Sequence, residues 1–269
     1  MAAPRRDTRG ILDPAELLSR VRFRRHEPAA PELRPYLEHY WLIDWDLPEP
    51  FASHVVPHPS VNVVFQRFED RSYGEVAGIG LELFTQKLEG RGRVCGVQFR
   101  PGGFRPFAPD AHVSEWTGRR LPLAEVFGEL DGDPVASVLA PADDAGRVAA
   151  LDAFLLAREP RPDPQAELAI GLVDRIRTDR TILRAGAFAR SEGMSLRTLQ
   201  RLFAQYVGVG PKWVILRYRI HEALERAASD TAVDWARLAA ELGYADQAHL
   251  VRDFTATVGV PPTAYAPKG

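Results

Sequence analysis

The sequence predicts an α+β chain in which a mostly antiparallel β barrel or sandwich comes first and an all-α domain of two helix-turn-helix units joined by a long helix comes second. Three observations predict this. Short β-branched runs punctuated by Pro, Gly and Ser occupy roughly residues 20–130. Glu159-Pro160-Arg161-Pro162-Asp163-Pro164 then sets three prolines within six residues, each opposing a continuing helix. Beyond that break, a block of sequence recurs about fifty residues later. The division that results is a β-rich domain over 1–142, a helix and proline-rich linker over 143–164, and a helical domain over 165–269.

The chain has 269 residues, enough for one large domain or two ordinary ones, and 45% apolar with 26% charged residues supports a proper core. Met1 to Gly10 carries Arg5, Arg6 and Arg9 with no apolar stretch after them, so it does not read as a secretory signal. His54-Val55-Val56-Pro57, Val61 to Phe65, Val76 to Gly80, Glu82 to Thr85 and Val94 to Phe99 read as strands, and Arg100-Pro101-Gly102-Gly103-Phe104 as the turn that ends the last of them. Cys95 is the only cysteine, which excludes a disulfide framework or a Cys-rich zinc site within one chain and points to a reducing cytoplasm. No apolar run is long enough to span a bilayer, so no membrane partner is expected.

From Asp143 the rhythm is helical. Val148, Leu151, Leu155 and the adjacent Phe154 form a stripe that packs against the β domain or, alternatively, against a second copy of the chain. After the prolines comes the duplication. Phe188-Ala189-Arg190-Ser191-Glu192-Gly193 corresponds to Leu238-Ala239-Ala240-Glu241-Leu242-Gly243, and with one extra residue Leu199, Arg201, Phe203, Val207, Gly208 and Pro211 recur as Leu250, Arg252, Phe254, Val258, Gly259 and Pro262. Each copy reads as helix, tight turn, helix. Gly193 and Gly243 stand where a helix must end in a left-handed turn, and Ser195 and Asp246 are N-caps for the second helix of each copy. Leu199, Leu202 and Phe203, with Leu196 nearby, face inward in one copy; Leu250, Phe254 and Val258 do so in the other.

Pro211 to Ala228 reads as the connecting helix, with Trp213, Leu216, Ile220, Leu224 and Ala227 on one face. Its eighteen residues span roughly 27 Å, against about 34 Å between successive major-groove turns. Arg forks onto guanine and Gln pairs with adenine, so Arg197, Gln200 and Arg201 on one second helix, and Gln247, His249, Val251 and Arg252 on the other, are placed to read a duplex. Charge agrees: residues 165–269 carry 14 basic and 11 acidic side chains, a net +3, and the rest of the chain 20 against 25, a net -5.

On these residues, from Ala189 to Phe203 and from Leu238 to Tyr265, the last hundred residues resemble the AraC/XylS family of transcription regulators. The resemblance implies that Arg197, Gln200 and Arg201 contact the first groove and Gln247, His249, Val251 and Arg252 the second. Its implied partners are a duplex operator, RNA polymerase, a small-molecule effector and a second copy of the chain. Departures are Asp246 and Asp253 on the second reading helix, and Ala266 after Tyr265 where the family often has Arg. They predict that the first unit dominates binding. Val56 to Phe65, Val97 to Phe104 and Trp116 to Leu123 resemble β-rich sensor-like domains found ahead of some such modules.

In that domain His58, Asn62 and Arg100 are candidate ligand contacts, with Trp41, Trp45 and Trp116 as stacking rings or core. The alternative for Arg100 is that it caps the turn or pairs with a surface acid. His54 and His58 have a helical metal-ligand spacing, but Pro57 and Pro59 oppose a helix, so no metal is expected, and no cofactor. No phosphate loop, nucleophile elbow or activated cysteine marks an enzyme. The alternative function is a small-molecule-binding protein or enzyme whose helices no longer bind a specific operator.

Overall fold

The structure, a computed structural model, describes residues 10–69, 71–229 and 233–265. The arginines of residues 1–9 and Ala266 lie outside them. The elements run α1 (Pro14–Arg20), β1 (Arg22–His26), β2 (Leu37–Val55), β3 (Asn62–Phe68), β4 (Arg71–Ala77), β5 (Phe84–Phe99), β6 (Arg120–Pro122), α2 (Leu123–Phe127), α3 (Pro134–Leu139), α4 (Asp144–Leu156), α5 (Pro164–Thr178), α6 (Ala185–Ser191), α7 (Leu196–Tyr206), α8 (Pro211–Ser229), α9 (Trp235–Glu241), α10 (Gln247–Val258) and α11 (Pro262–Tyr265).

All six strands join one antiparallel sheet in the order β1-β2-β5-β3-β4-β6. The expected antiparallel domain is therefore a single sheet with two edges, neither closed into a barrel nor doubled into a sandwich. Its spine is the ribbon of β2 and β5. The sequence pattern marks only the end of β2, at His54-Val55, because Pro48 and Pro50 look like breakers. They sit where the register shifts between Leu47 and Phe51, at an irregularity that needs no ladder hydrogen bond from them. The expected strand at Val76 to Gly80 stops at Ala77. Of Glu82 to Thr85 only Phe84 and Thr85 enter β5, which continues unbroken to Phe99.

Strand alternation gives the sheet two different faces. Tyr40, Leu42, Phe65, Cys95 and Val97 are fully buried toward the helices. There Phe65 meets Phe154 of α4 edge to face at 5.0 Å between centroids, and Tyr40 donates to Asp152 at 2.6 Å. Val148, Leu151, Phe154 and Leu155 are all buried, so the α4 stripe packs within its own chain. Asp143 caps that helix by accepting from Gly146 N at 2.7 Å, and Asp163 caps α5 with Pro164 at its first turn. On the same side Asp44 accepts from Arg24, Arg93 and the buried Arg147, tying β1, β2, β5 and α4 together.

One apolar core runs from the sheet through α4 and α5 into α6 and α7, and a second gathers around α9 and α10. The helical half therefore packs directly on the sheet domain. Connector helix α8 is buried nearly all round for this reason. Val214, Ile215, Arg217, Ile220, His221, Ala223, Leu224 and Ala227 are buried, while Trp213 and Leu216 of the expected face are only half-buried. Among the described residues no helix is long and apolar enough to cross a membrane.

Candidate nucleic-acid interface and effector cavity

The repeat in sequence is a repeat in backbone geometry. After α6, Gly193 takes φ 69° and Met194 N donates to Ala189 O at 3.0 Å; after α9, Gly243 takes φ 72° and Tyr244 N donates to Ala239 O at 2.9 Å. Ser195 then accepts from Thr198 N at 3.1 Å to open α7, as Asp246 accepts from His249 N at 2.7 Å to open α10. The matching glycines at the far ends, Gly208 and Gly259, have φ 88° and 85°. Two copies of one helix-turn-helix unit thus flank α8.

Each second helix buries the apolar side the pattern predicted: Leu199, Leu202 and Phe203 on α7, and Leu250, Phe254 and Val258 on α10. Leu196 departs from it, at 40% exposure, because it stands in the first turn beyond the packing face. Arg197, Gln200 and Arg201 lie together on the exposed side of α7. On α10, Gln247, His249 and Arg252 are exposed and Val251 is half-buried. His249 is less available than its neighbours, with its Nε2 3.8 Å from Asp253 and its ring against Tyr244.

The units are anchored to different parts of the sheet domain. In the first, Thr117 donates to Gly208 O at 2.7 Å, and Arg105 donates to the Tyr206 hydroxyl, which donates to Asp163. In the second, Leu12, Val56 and Leu83 join the apolar core of α9 and α10, and Tyr265 donates to Leu12 O at 3.0 Å. Between them, Arg217 of α8 is buried. Its guanidinium donates to Leu81 O at 3.0 Å and Pro57 O at 3.4 Å and lies 4.3 Å from the Trp213 ring. Burial pushes its pKa down to about 10. Sequence reasoning had no signal for this residue, since an Arg on a helix ordinarily reads as solvated.

The sheet's other face curls around a cavity of about 250 Å³, just under the usual range for small-molecule sites. Its floor is aromatic. Trp41 and Trp45 lie flat on β5, where a Cβ on Gly96 or Gly92 would sit 2.0 Å from their rings. Phe23, Ile43, Val64, Leu88 and Val94 make apolar walls, and Arg25, His39, His58, Ser60 and Gln98 a polar end. That end runs into a smaller recess bordered by Glu38, Arg177 and Tyr218 of α8.

Of the predicted ligand contacts, His58 and Asn62 line the cavity, and Asn62 meets Trp41 Nε1 at 3.4 Å. Arg100 does not line it, because Asp174 of α5 holds its guanidinium across the domain contact. His54 points to Thr85 instead, and Trp116 is core, edge-on to Phe104 at 5.3 Å. Cys95 is buried on the helical face with its thiol pushed up to about 11 by burial, so it offers no activated nucleophile.

Residues 188–268 match the family described as helix-turn-helix domain, and residues 24–122 match the family described as domain of unknown function (DUF6597). Among solved structures the chain is similar to ToxT from Vibrio cholerae. One ToxT structure is 10% identical with a TM-score of 0.40, covering 92% of this chain and 98% of that one. A second is 12% identical at 0.41, covering 91% and 96%. A third, of ToxT bound to an unsaturated fatty acid, is 12% identical at 0.39, covering 84% and 94%. No curated protein matches the chain significantly.

Proposed function

We infer from a C-terminal part that is a helix-turn-helix domain of the AraC type that this chain is a DNA-binding transcription regulator. Each unit lays its second helix, α7 or α10, in the major groove. Arg197, Gln200 and Arg201 make the stronger contact, and Gln247, His249, Val251 and Arg252 the weaker. The observation that carries this reading is the pair of matching turns, each leading into a capped helix whose polar side is exposed. The sheet domain holds a small molecule in the cavity bordered by His58 and Asn62. RNA polymerase and a second copy of the chain are its protein partners, and the cytoplasm is its compartment. The role is non-enzymatic, a reading supported by the inert setting of Cys95.

The test is selection of bound duplexes from a random pool by the full-length chain, with a salt titration on the selected duplex. Two short half-sites about one helical turn apart, bound with an affinity that falls steeply with salt, are the expected result. Sequence-blind binding, or none, overturns it.

A further inference from the structure

The stretch from Val55 to Ser60 belongs to both sites at once. Val55, Pro57, His58 and Ser60 line the cavity, while Val56 between them is fully buried in the core of the second helix-turn-helix unit. The outer side of this wall is held by α8. Arg217 and His221 donate to Pro57 O, each at 3.4 Å, and His221 stacks on His58 with centroids 4.1 Å apart and planes 9° from parallel. The N-terminal segment continues the chain of contacts. Val56 N donates to Gly10 O at 2.8 Å, Leu12 N donates to His54 O at 3.0 Å, and Leu12 O accepts from Tyr265 of α11. Among the described residues the first unit is anchored to the sheet domain elsewhere, through Thr117, Arg105 and the neighbourhood of Ile79 and Val113, and meets this chain of contacts only through α8, which it shares with the second unit.

We propose that the Val55–Ser60 wall couples occupancy of the cavity to the second helix-turn-helix unit alone, so that an effector moves α10 relative to a fixed α7. The effector class the cavity fits is a flat, largely apolar molecule with an anionic end. Its rings stack on Trp41 and Trp45, and its charge lies toward Arg25, His39 and His58. A ligand that fills the space presses on a wall whose far side is packed core, and packed cores shift between discrete arrangements rather than yield gradually. The proposal rests on the regulator reading above and adds which half of the operator the effector controls.

The experiment uses the full-length chain on its selected duplex with 8-anilino-1-naphthalenesulfonate as probe, a flat aromatic anion. Entry is read by quenching of tryptophan emission, and each half-site by footprinting. The expected result is a loss of protection of at least about threefold over the second half-site, with the first unchanged. Arg217→Met, and separately Tyr265→Phe, bind the probe as the wild type does but show less than half of that change. Absence of quenching overturns the proposal, as does an equal response of both half-sites or an undiminished response in both variants. Failure to protect either half-site before the probe is added is a different failure, since it sinks the regulator reading and this proposal with it.

Discussion

On α7, Arg201 shares its exposed face with Arg197 and Gln200, and among the described residues no carboxylate engages the three. On α10, the equivalent Arg252 is followed by Asp253, which lies 3.8 Å from His249, and Asp246 spends one oxygen on the helix cap. A carboxylate near the phosphates costs what an arginine gains. Arg201→Ala should therefore weaken binding to the selected duplex by about 2 kcal/mol and Arg252→Ala by under about 1 kcal/mol, as read by titration at one salt concentration. Equal losses would reverse the ranking of the units. At this scale the sequence was a good guide on the helices, where periodicity says which side chains point out. It was a poorer one in the sheet domain: His58 and Asn62 border the cavity, but Arg100, two positions past Gln98 of the cavity, is held by Asp174. Nothing in the order of residues says that α5 will bring Asp174 there.

Among the elements, the turns were the most legible and the strands the least. A glycine fifty residues from another glycine, each ahead of a capping residue, specifies a left-handed turn twice. The two should differ in cost. At Gly193 an added Cβ meets nothing within 4 Å, so Gly193→Ala costs only the strain of φ 69°, about 1–2 kcal/mol. At Gly243 the Cβ would also sit 2.6 Å from Leu183, so Gly243→Ala should cost more than Gly193→Ala in thermal or denaturant unfolding. In β2 the signal was masked by Pro48 and Pro50, whose tolerance depends on a bulge that only the partner strand defines. The ion cluster on this ribbon is a tertiary feature as well. Burial alone would raise the Asp44 pKa, but hydrogen bonds from Arg147, Arg24 and Arg93 hold it well below the usual carboxylate range. A depressed folded pKa means stability that is present above the unfolded value and lost as pH falls through the folded one. Asp44→Asn should then unfold more easily than the wild type by roughly 2 kcal/mol near neutrality, for a carboxylate that is itself only partly buried among its three arginines. The gap should narrow in strongly acidic solution, which a series of denaturant melts across pH measures.

For the whole molecule, composition and punctuation gave the order of a sheet domain and then a helical one. They did not show that the helical half leans on the sheet domain along most of α8. Three prolines within six residues look like a tether, yet Asp163 within that stretch caps α5 and accepts from Tyr206, so the break is itself part of the contact. The contact is made of residues with ordinary sequence signatures: a threonine hydroxyl on Gly208, an arginine on two carbonyls, a tyrosine on Leu12. The first unit shares one apolar core with the sheet, and the second takes Val56, Leu12 and Leu83 into its own. A fragment of residues 165–269 would expose those surfaces and leave the Arg217 guanidinium without Pro57 and Leu81. The fragment should therefore melt well below the full chain, and the full chain should unfold in one cooperative transition by calorimetry. Two separate transitions, the upper or lower one matching the isolated fragment, would show that the interface contributes little. In that case an effector in the cavity would have no packed path to the operator.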